Sequence, residues 1–383
     1  LPVYNGIESS SPKGGHIVTG RRSDIIAVAM SGGVDSSVAA ALLVSQGFTV
    51  IGVTMKLWHS SIDGCFDNLC CSVESVEAAR RVARRLGIDH IVLNVSEEFH
   101  DLVVSDFVDQ YSRGLTPNPC VVCNARIKFG ELHRRLLALG VNRVATGHYA
   151  RLKLDDSSGR RLLFRPLDRA KDQTYVLYRL TQSQLARTMF PLGEMTKSDV
   201  RAAAHSIGLE TADRPESQDV CFVPPGKYRD FLMQERPSLG APGPIVSMGG
   251  TVIGEHTGIA MYTVGQRRGL GQLQCGHDGP LYVTEIRADS NTIVVGPEEC
   301  LYSTEFQAEH ASFIPFDTLE HEIQAQVQIR YKSAPAAARL TPTADGDVHV
   351  EFAEPQRAIT PGQSGVFYSG DMLLGGGVIA GRA

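Results

Sequence analysis

Over roughly the first 150 positions, short apolar runs alternate with longer stretches in which apolar residues recur at helical spacing. Residues 24–30 (DIIAVAM) read as a buried strand and 31–36 as a glycine-containing turn. Residues 37–46, rich in Ala and Leu, read as a helix stopped by Gly47. Residues 48–55 are the next strand, which completes a β-loop-α-β unit and predicts a parallel sheet. The pattern then repeats. Val73, Val76, Ala79, Val82, Ala83 and Leu86 fall on one helical face, Gly87 ends that helix, and 90–95 is a strand. Residues 131–139 are helical up to Gly140, and 141–146 form another strand. This alternation predicts a doubly wound α/β fold. Residues 168–210 read as mainly helical. From Pro224-Pro225-Gly226 onward helical signals fade and Gly/Pro punctuation becomes dense, while 324–329 and 348–352 alternate. The second half is therefore expected to be all-β, as one or two small barrels.

Length and composition add limits. At roughly 100–200 residues per domain, 383 residues predict two or three domains. The expected division is a disordered lead-in over 1–23, an α/β domain over 24–222, a central β domain over 223–300 and a C-terminal β-barrel-like domain over 301–383. No apolar run approaches the roughly 18–20 residues of a membrane helix. The lead-in is rich in Ser, Gly and basic residues, lacks a signal-peptide apolar stretch and begins with Leu, so an organelle-targeting remnant stays open. A net charge of −5 argues against a nonspecific DNA binder but not against RNA, because phosphate contacts depend on local patches. Such patches are Arg80, Arg81, Arg84 and Arg85, then Arg126 and Lys128, then Arg160, Arg161, Arg165, Arg169 and Lys171; each alone equally describes a solvated face. Eight cysteines in a core-forming chain without secretion signals point to a reducing, cytoplasmic setting. There, clustered cysteines read as metal-binding or catalytic.

Ser31-Gly32-Gly33-Val34-Asp35-Ser36-Ser37 lies between a predicted strand and a predicted helix. A helix N-terminus offers unpaired N–H groups and partial positive charge. Gly32 and Gly33 let the backbone approach an anion, and Ser31, Ser36 and Ser37 can add hydroxyl donors, which together make a pyrophosphate cradle. The loop is neither a Walker A motif nor a dinucleotide fingerprint. Cys120 and Cys123 form a C-x-x-C pair in a proline-bracketed loop (TPNPCVVCN), and Cys221 follows far along the chain in PESQDVCF. Such cysteines can be redox-active, hold a metal or iron–sulfur cluster, or act as nucleophile and resolving thiol. Cys65, Cys70, Cys71, Cys275 and Cys300 read as buried or incidental thiols.

SGGVDSS resembles the signature loop of the PP-loop ATP pyrophosphatases, which adenylate a substrate carbonyl oxygen and release pyrophosphate. SGGVDSS, TPNPCVVCN…IKFG, ATGHYA, DRAKDQTYVLY, PESQDVCF and YTVGQRRGLG, followed by QIRYKS and ITPGQSGVFY…LLGGG, resemble in order the tRNA-specific 2-thiouridylases, the MnmA family. The resemblance runs from about Ile25 to Val378. It implies an ATP-dependent tRNA-uridine 2-sulfurtransferase acting at the wobble uridine. ATP would sit on Ala29, Met30, Ser31, Gly32, Gly33, Val34, Asp35, Ser36, Met55 and Gly147, with Mg²⁺ offsetting the charge of Asp35. Cys123 matches the family's nucleophile and Cys221 the persulfide carrier, and attack of one on the other would leave a disulfide. Asn118, Pro119 and Cys120 would approach the target base, while His148, Lys171, Asp172, Gln173, Arg330, Tyr331 and Gln363 match positions that contact tRNA. A cysteine desulfurase or sulfur-relay protein is the implied donor. Many members carry Asp where this chain has Cys120, so the general base is open, and an iron–sulfur cluster on Cys120, Cys123 and Cys221 stands as an alternative. Another PP-loop adenylating ligase and a non-catalytic tRNA-binding protein are the remaining alternatives.

Overall fold

Ile26, Ala27 and Val28 have no solvent exposure, which is why Ile25–Ala29 (β1) is an unbroken apolar run: both faces of the strand are covered. The structure is a computed structural model and describes residues 25–57, 73–214, 220–223, 226–274 and 279–380. The readings made on 1–23, on Cys65, Cys70, Cys71 and Cys275, and on 216–219 lie outside the described residues. Strand β1 pairs in parallel with Thr49–Lys56 (β2), and β2 with Asp89–Asn94 (β3). On its other edge β1 pairs with Arg143–Thr146 (β4). After the hairpin Arg151–Leu154 (β5) and Arg161–Phe164 (β6), the short Thr188–Met189 (β7) completes the parallel sheet in the order β3-β2-β1-β4-β7. Helices Val34–Ser45, Val73–Leu86 and Lys197–Ser206 share one apolar cluster with the sheet, and Leu132 and Leu136 of Leu132–Ala138 pack with Ala27, Val53 and Val144 in another. The fold is thus doubly wound, with a strand-order switch beside β1, and the carboxyl ends of β1 and β4 are where such sheets bind ligands.

The second half is all-β apart from the helix Tyr228–Glu235 and short turns. Gly243–Ser247 (β8), Val252–His256 (β9), Tyr282–Arg287 (β10) and Thr292–Gly296 (β11) form a sheet in the order β10-β11-β8-β9. Tyr302–Phe313 (β12), Ile323–Gln328 (β13), Ala336–Pro342 (β14), Val348–Arg357 (β15), Ser364–Ser369 (β16) and Met372–Ile379 (β17) follow. Because β12 pairs with both β15 and β17, these strands close into a barrel.

Two expectations change. Residues 168–210 hold the helix Lys197–Ser206 and the single-turn helix Gln182–Leu185; the rest is short turns and loop, with β7 between the two helices. Tyr175, Leu177, Tyr178 and Leu180 are buried with Val366, Tyr368 and Leu373 of the barrel, so their apolar spacing records a seam rather than one helix face. The hairpin β5–β6 was not anticipated. It joins the barrel sheet, with Met372 and Leu373 of β17 opposite Phe164 and Leu163 of β6. The helix expected at 131–139 begins earlier, at Pro119, and passes through a π-helical stretch, Cys123–Glu131. Gln184 Nε2 donates to the Ala125 carbonyl at 2.9 Å, and Asn124 Nδ2 to the Val176 carbonyl at 3.1 Å, so neighbouring elements take part in its bonding.

Candidate active site between the phosphate loop and the cysteine loop

The turn after β1 keeps a glycine where only glycine fits. Gly32 has φ +75°, and a Cβ there would lie 2.4 Å from the Ser75 carbonyl oxygen. Gly33 caps Val34–Ser45 in an extended conformation without a side-chain bond to the free N–H groups, leaving the start of the helix to a ligand. The serines behave differently from expectation. Ser36 Oγ donates to the Gly33 carbonyl at 3.2 Å and accepts from Ser31 N–H at 3.2 Å, and Ser37 Oγ donates to the same carbonyl at 2.8 Å. Ser36 and Ser37 are buried, so their hydroxyls hold the loop's shape, while the exposed Ser31 faces solvent. Ala29 ends β1, Met30 is buried behind the loop, and the Met30 amide bonds the Val53 carbonyl of β2, two residues before Met55.

Gly147 follows β4 and closes over the phosphate loop. A Cβ on it would sit 2.7 Å from Ser36 N and 2.8 Å from the Asp35 carbonyl carbon, so backbone meets backbone. Gly147→Ala must push the loop aside; at an overpacking cost of about 1–3 kcal/mol, KM for ATP is expected to rise about tenfold or more. Steady-state titration of ATP checks this, and an unchanged KM contradicts it.

Sequence reasoning missed the partner of Asp35. Lys197 Nζ lies 2.7 and 2.9 Å from the two Asp35 carboxylate oxygens, and the buried Tyr149 hydroxyl donates to Oδ1 at 2.8 Å. Lys197 sits in the first turn of its helix behind a Thr196–Asp199 capping box, and its amide donates to Asp168 at 2.9 Å. The box was a legible signal for the helix start (TKSD); the reach of the lysine to Asp35 was not. The expected Mg²⁺ offset of the Asp35 charge is therefore met, at least in part, by an ammonium.

Cys120 is exposed, Cys123 buried and Cys221 half-buried. Cys123 belongs to the apolar cluster that joins 95–127 to the central sheet, and Met55, Val122, Val220 and Cys221 pack against that same cluster. Phe222 anchors Cys221 from the following position, with ring centroids 5.5 Å from Phe99, 5.2 Å from Phe107 and 5.5 Å from Phe231. The structure thus brings to one interior both cysteines and the strand end that carries Met55. Among the described residues no three His, Cys, Asp or Glu gather in a way that would hold a metal ion, and Cys120, Cys123 and Cys221 are all described. The alternative iron–sulfur ligand set of Cys120, Cys123 and Cys221 does not fit this arrangement.

Of the expected RNA contacts, Arg330 and Tyr331 are exposed on the barrel, with Lys332 Nζ 5.6 Å from the Tyr331 ring centroid. That is a combination suited to a nucleotide. Lys171 is half-buried. Asp172 instead accepts from Thr174 N and Oγ1 at 2.9 and 2.6 Å, and Gln173 Oε1 accepts the Tyr149 amide at 2.9 Å, so both brace the interior. The His148 ring is buried against Phe129 and Phe190, and its Nδ1 lies 2.8 Å from Thr146 Oγ1. Burial, and then Lys128, hold its pKa well below the usual histidine range. Asn118 precedes the helix opened by the buried Pro119, and Gln363 points at the cysteine loop.

His133, edge-on to Phe129 at 5.7 Å and with a buried Nε2 that has no hydrogen-bond partner among the described residues, has its pKa lowered by burial, then by Arg187, from 6.5 to about 4. Between those values the unfolded chain binds a proton there that the folded chain does not. Stability is unaffected above pH 6.5 and falls as pH drops toward 4, by roughly 3 kcal/mol from this group. His133→Gln is expected to flatten that acid limb in denaturant titrations at several pH values; an unchanged slope contradicts it.

A family model described as a tRNA methyl transferase HUP domain matches residues 24–225, a tRNA methyl transferase PRC-barrel domain matches 229–297, and an aminomethyltransferase beta-barrel domain matches 303–379. The chain is 49% identical over 367 residues to the tRNA-specific 2-thiouridylase MnmA of Carboxydothermus hydrogenoformans, spanning 95% of this chain and 99% of that one. It is 48% identical over 356 residues to the tRNA-specific 2-thiouridylase MnmA of Pelotomaculum thermopropionicum, spanning 92% and 96%. Among solved structures it is similar to a 4-thiouridine synthetase–RNA complex with bound ATP, at 17% identity and a TM-score of 0.34 over 56% of this chain and 51% of that one, a likeness too slight to argue from.

Proposed function

This chain belongs to the tRNA-specific 2-thiouridylase family, and from that premise we propose that it spends ATP to activate the C2 carbonyl of a tRNA wobble uridine and replaces that oxygen with sulfur borne on a cysteine. The uridine oxygen attacks the α-phosphorus of ATP; pyrophosphate leaves and a C2–O–AMP bond forms. The free helix start behind Gly33 and the close cover of Gly147 hold the phosphates during that step. Mg²⁺ is expected to accompany ATP and to supply charge neutralisation on the phosphates.

Sulfur arrives as a persulfide on Cys221, loaded by a donor protein of the desulfurase or relay class. Its terminal sulfur attacks C2, AMP departs, and the base is left linked through a disulfide to Cys221. The Cys123 thiolate then attacks the Cys221 sulfur, forming a Cys123–Cys221 disulfide and releasing the base as 2-thiouridine. A reductant returns both thiols, which suits a reducing cytoplasm. The observation that carries this reading is that Cys123 belongs to one apolar cluster against which Cys221 and Met55 both pack. Arg330 and Tyr331 on the barrel, with Asn118 and the exposed Cys120 at the loop, are the proposed RNA-facing groups. No described helix is long and apolar enough to cross a membrane.

The test is pyrophosphate release with and without tRNA. Release that requires an unmodified tRNA supports uridine as the adenylated group. Release at equal rate without RNA contradicts it.

A further inference from the structure

The loop that leads into Cys120 and Cys123 is held by the C-terminal barrel. Thr116 N–H donates to the Pro361 carbonyl at 2.8 Å, and Gln363 Nε2 donates back to the Thr116 carbonyl at 2.9 Å, with the Pro117 carbonyl at 3.4 Å. Between them Gly362, at φ +88°, lets the two backbones touch: a Cβ there would lie 2.8 Å from Thr116 N. The rim turn is itself fixed, since Gly362 N–H donates to the Ile379 carbonyl at 2.9 Å and Ile379 N–H to the Gln363 carbonyl at 2.8 Å. Next to it the buried Tyr175 hydroxyl donates to the Ser364 carbonyl at 2.8 Å. The loop between Thr116 and Pro119 is therefore gripped at Thr116 and Pro117 by groups outside its own element.

We propose that Gln363 is a positioning residue. Its amide, anchored in the barrel rim, fixes the Thr116–Pro117 backbone, holds in place the loop that carries Cys120 and Cys123, and so acts on catalysis through that loop. The identity of Cys123 as the attacking thiol rests on the function proposed above; the grip of Gln363 on the loop does not. Gln363→Glu keeps the shape and removes the donor, placing a carboxylate against two carbonyl oxygens; Gln363→Met keeps the bulk and has no charge.

The experiment has two readouts on each variant, with the melting temperature as a check on folding. The first is kcat and KM for tRNA in 2-thiouridine formation. Because a misplacement of about 1 Å can cost on the order of a hundredfold in rate, kcat is expected to fall about tenfold or more, with KM for tRNA changed by less than about twofold. The second needs no turnover: alkylation of the RNA-free protein by iodoacetamide, followed by peptide mass spectrometry. The exposed Cys120 serves as internal reference, and loosening the loop is expected to raise the Cys123-to-Cys120 alkylation ratio about fivefold, as for a local opening. A raised KM with unchanged kcat and an unchanged ratio overturns the proposal and makes Gln363 an RNA contact. A raised ratio in a chain whose wild type makes no 2-thiouridine upholds the brace while removing the function. If Gln363→Glu does not fold, Gln363→Met decides on the same readouts.

Discussion

Cys221→Ser is expected to lower 2-thiouridine formation by at least about a thousandfold while leaving tRNA-dependent pyrophosphate release within about threefold of wild type. A serine hydroxyl has the shape of the thiol in a slightly smaller group but cannot carry a terminal sulfur, so the persulfide never forms. Adenylation is carried out at the loop after β1, by backbone N–H groups that the substitution does not touch. The neighbouring Phe222 remains locked among Phe99, Phe107 and Phe231, so the segment keeps its place and loss of sulfur transfer cannot be blamed on unfolding. Measuring both products on one preparation separates the steps. Loss of pyrophosphate release together with 2-thiouridine would contradict a purely sulfur-carrying role.

Lys197→Met is expected to weaken ATP binding by about a hundredfold, read by calorimetry. The native lysine brings an ammonium to 2.7 Å from Asp35, a residue inside the phosphate loop itself. Without it the carboxylate keeps the Tyr149 hydroxyl but loses its ion pair, and an uncompensated negative charge then lies where polyphosphate must bind. Removing one member of a fully buried pair costs about 3–5 kcal/mol; the Asp35 side chain is 32% exposed, so a little under 3 kcal/mol, about a hundredfold, is the expected share. The double variant Asp35→Asn with Lys197→Met is expected to recover part of the affinity, because the charge that repels phosphate is gone. Equal losses in the single and double variants would show that Lys197 acts on the nucleotide independently of Asp35.

The phosphate loop was legible because its chemistry is local: a strand, two glycines and a helix start are consecutive in sequence. Gly147 was reachable only through the family pattern, since the need for glycine there arises from backbone 112 positions away at Asp35. The RNA-facing residues separate along the same line. Arg330 and Tyr331 lie exposed, whereas His148, Asp172 and Gln173 turn inward, because a motif fixes residue types and not which side of a loop each faces. The hairpin β5–β6 left a readable trace, RLKL and RLLF around DDSSG, yet its membership in the barrel depends on a pairing more than two hundred residues distant and could not be read. Residues 168–210 misled because buried tyrosines and leucines of a seam share spacing with a helix face. Lys197 was missed for the plain reason that an ion pair across 162 positions leaves no periodicity.

The central claim is that sulfur passes from Cys221 to the base with Cys123 closing the cycle. It is tested most directly by a single turnover: persulfide-loaded protein, ATP, Mg²⁺ and tRNA without reductant, quenched by acid and alkylation and mapped by peptide mass spectrometry. The account predicts one Cys123–Cys221 disulfide for each 2-thiouridine formed, with Cys120 recovered as the alkylated thiol. Formation of 2-thiouridine with both Cys123 and Cys221 recovered as alkylated thiols, or with Cys120 in the disulfide, would contradict it.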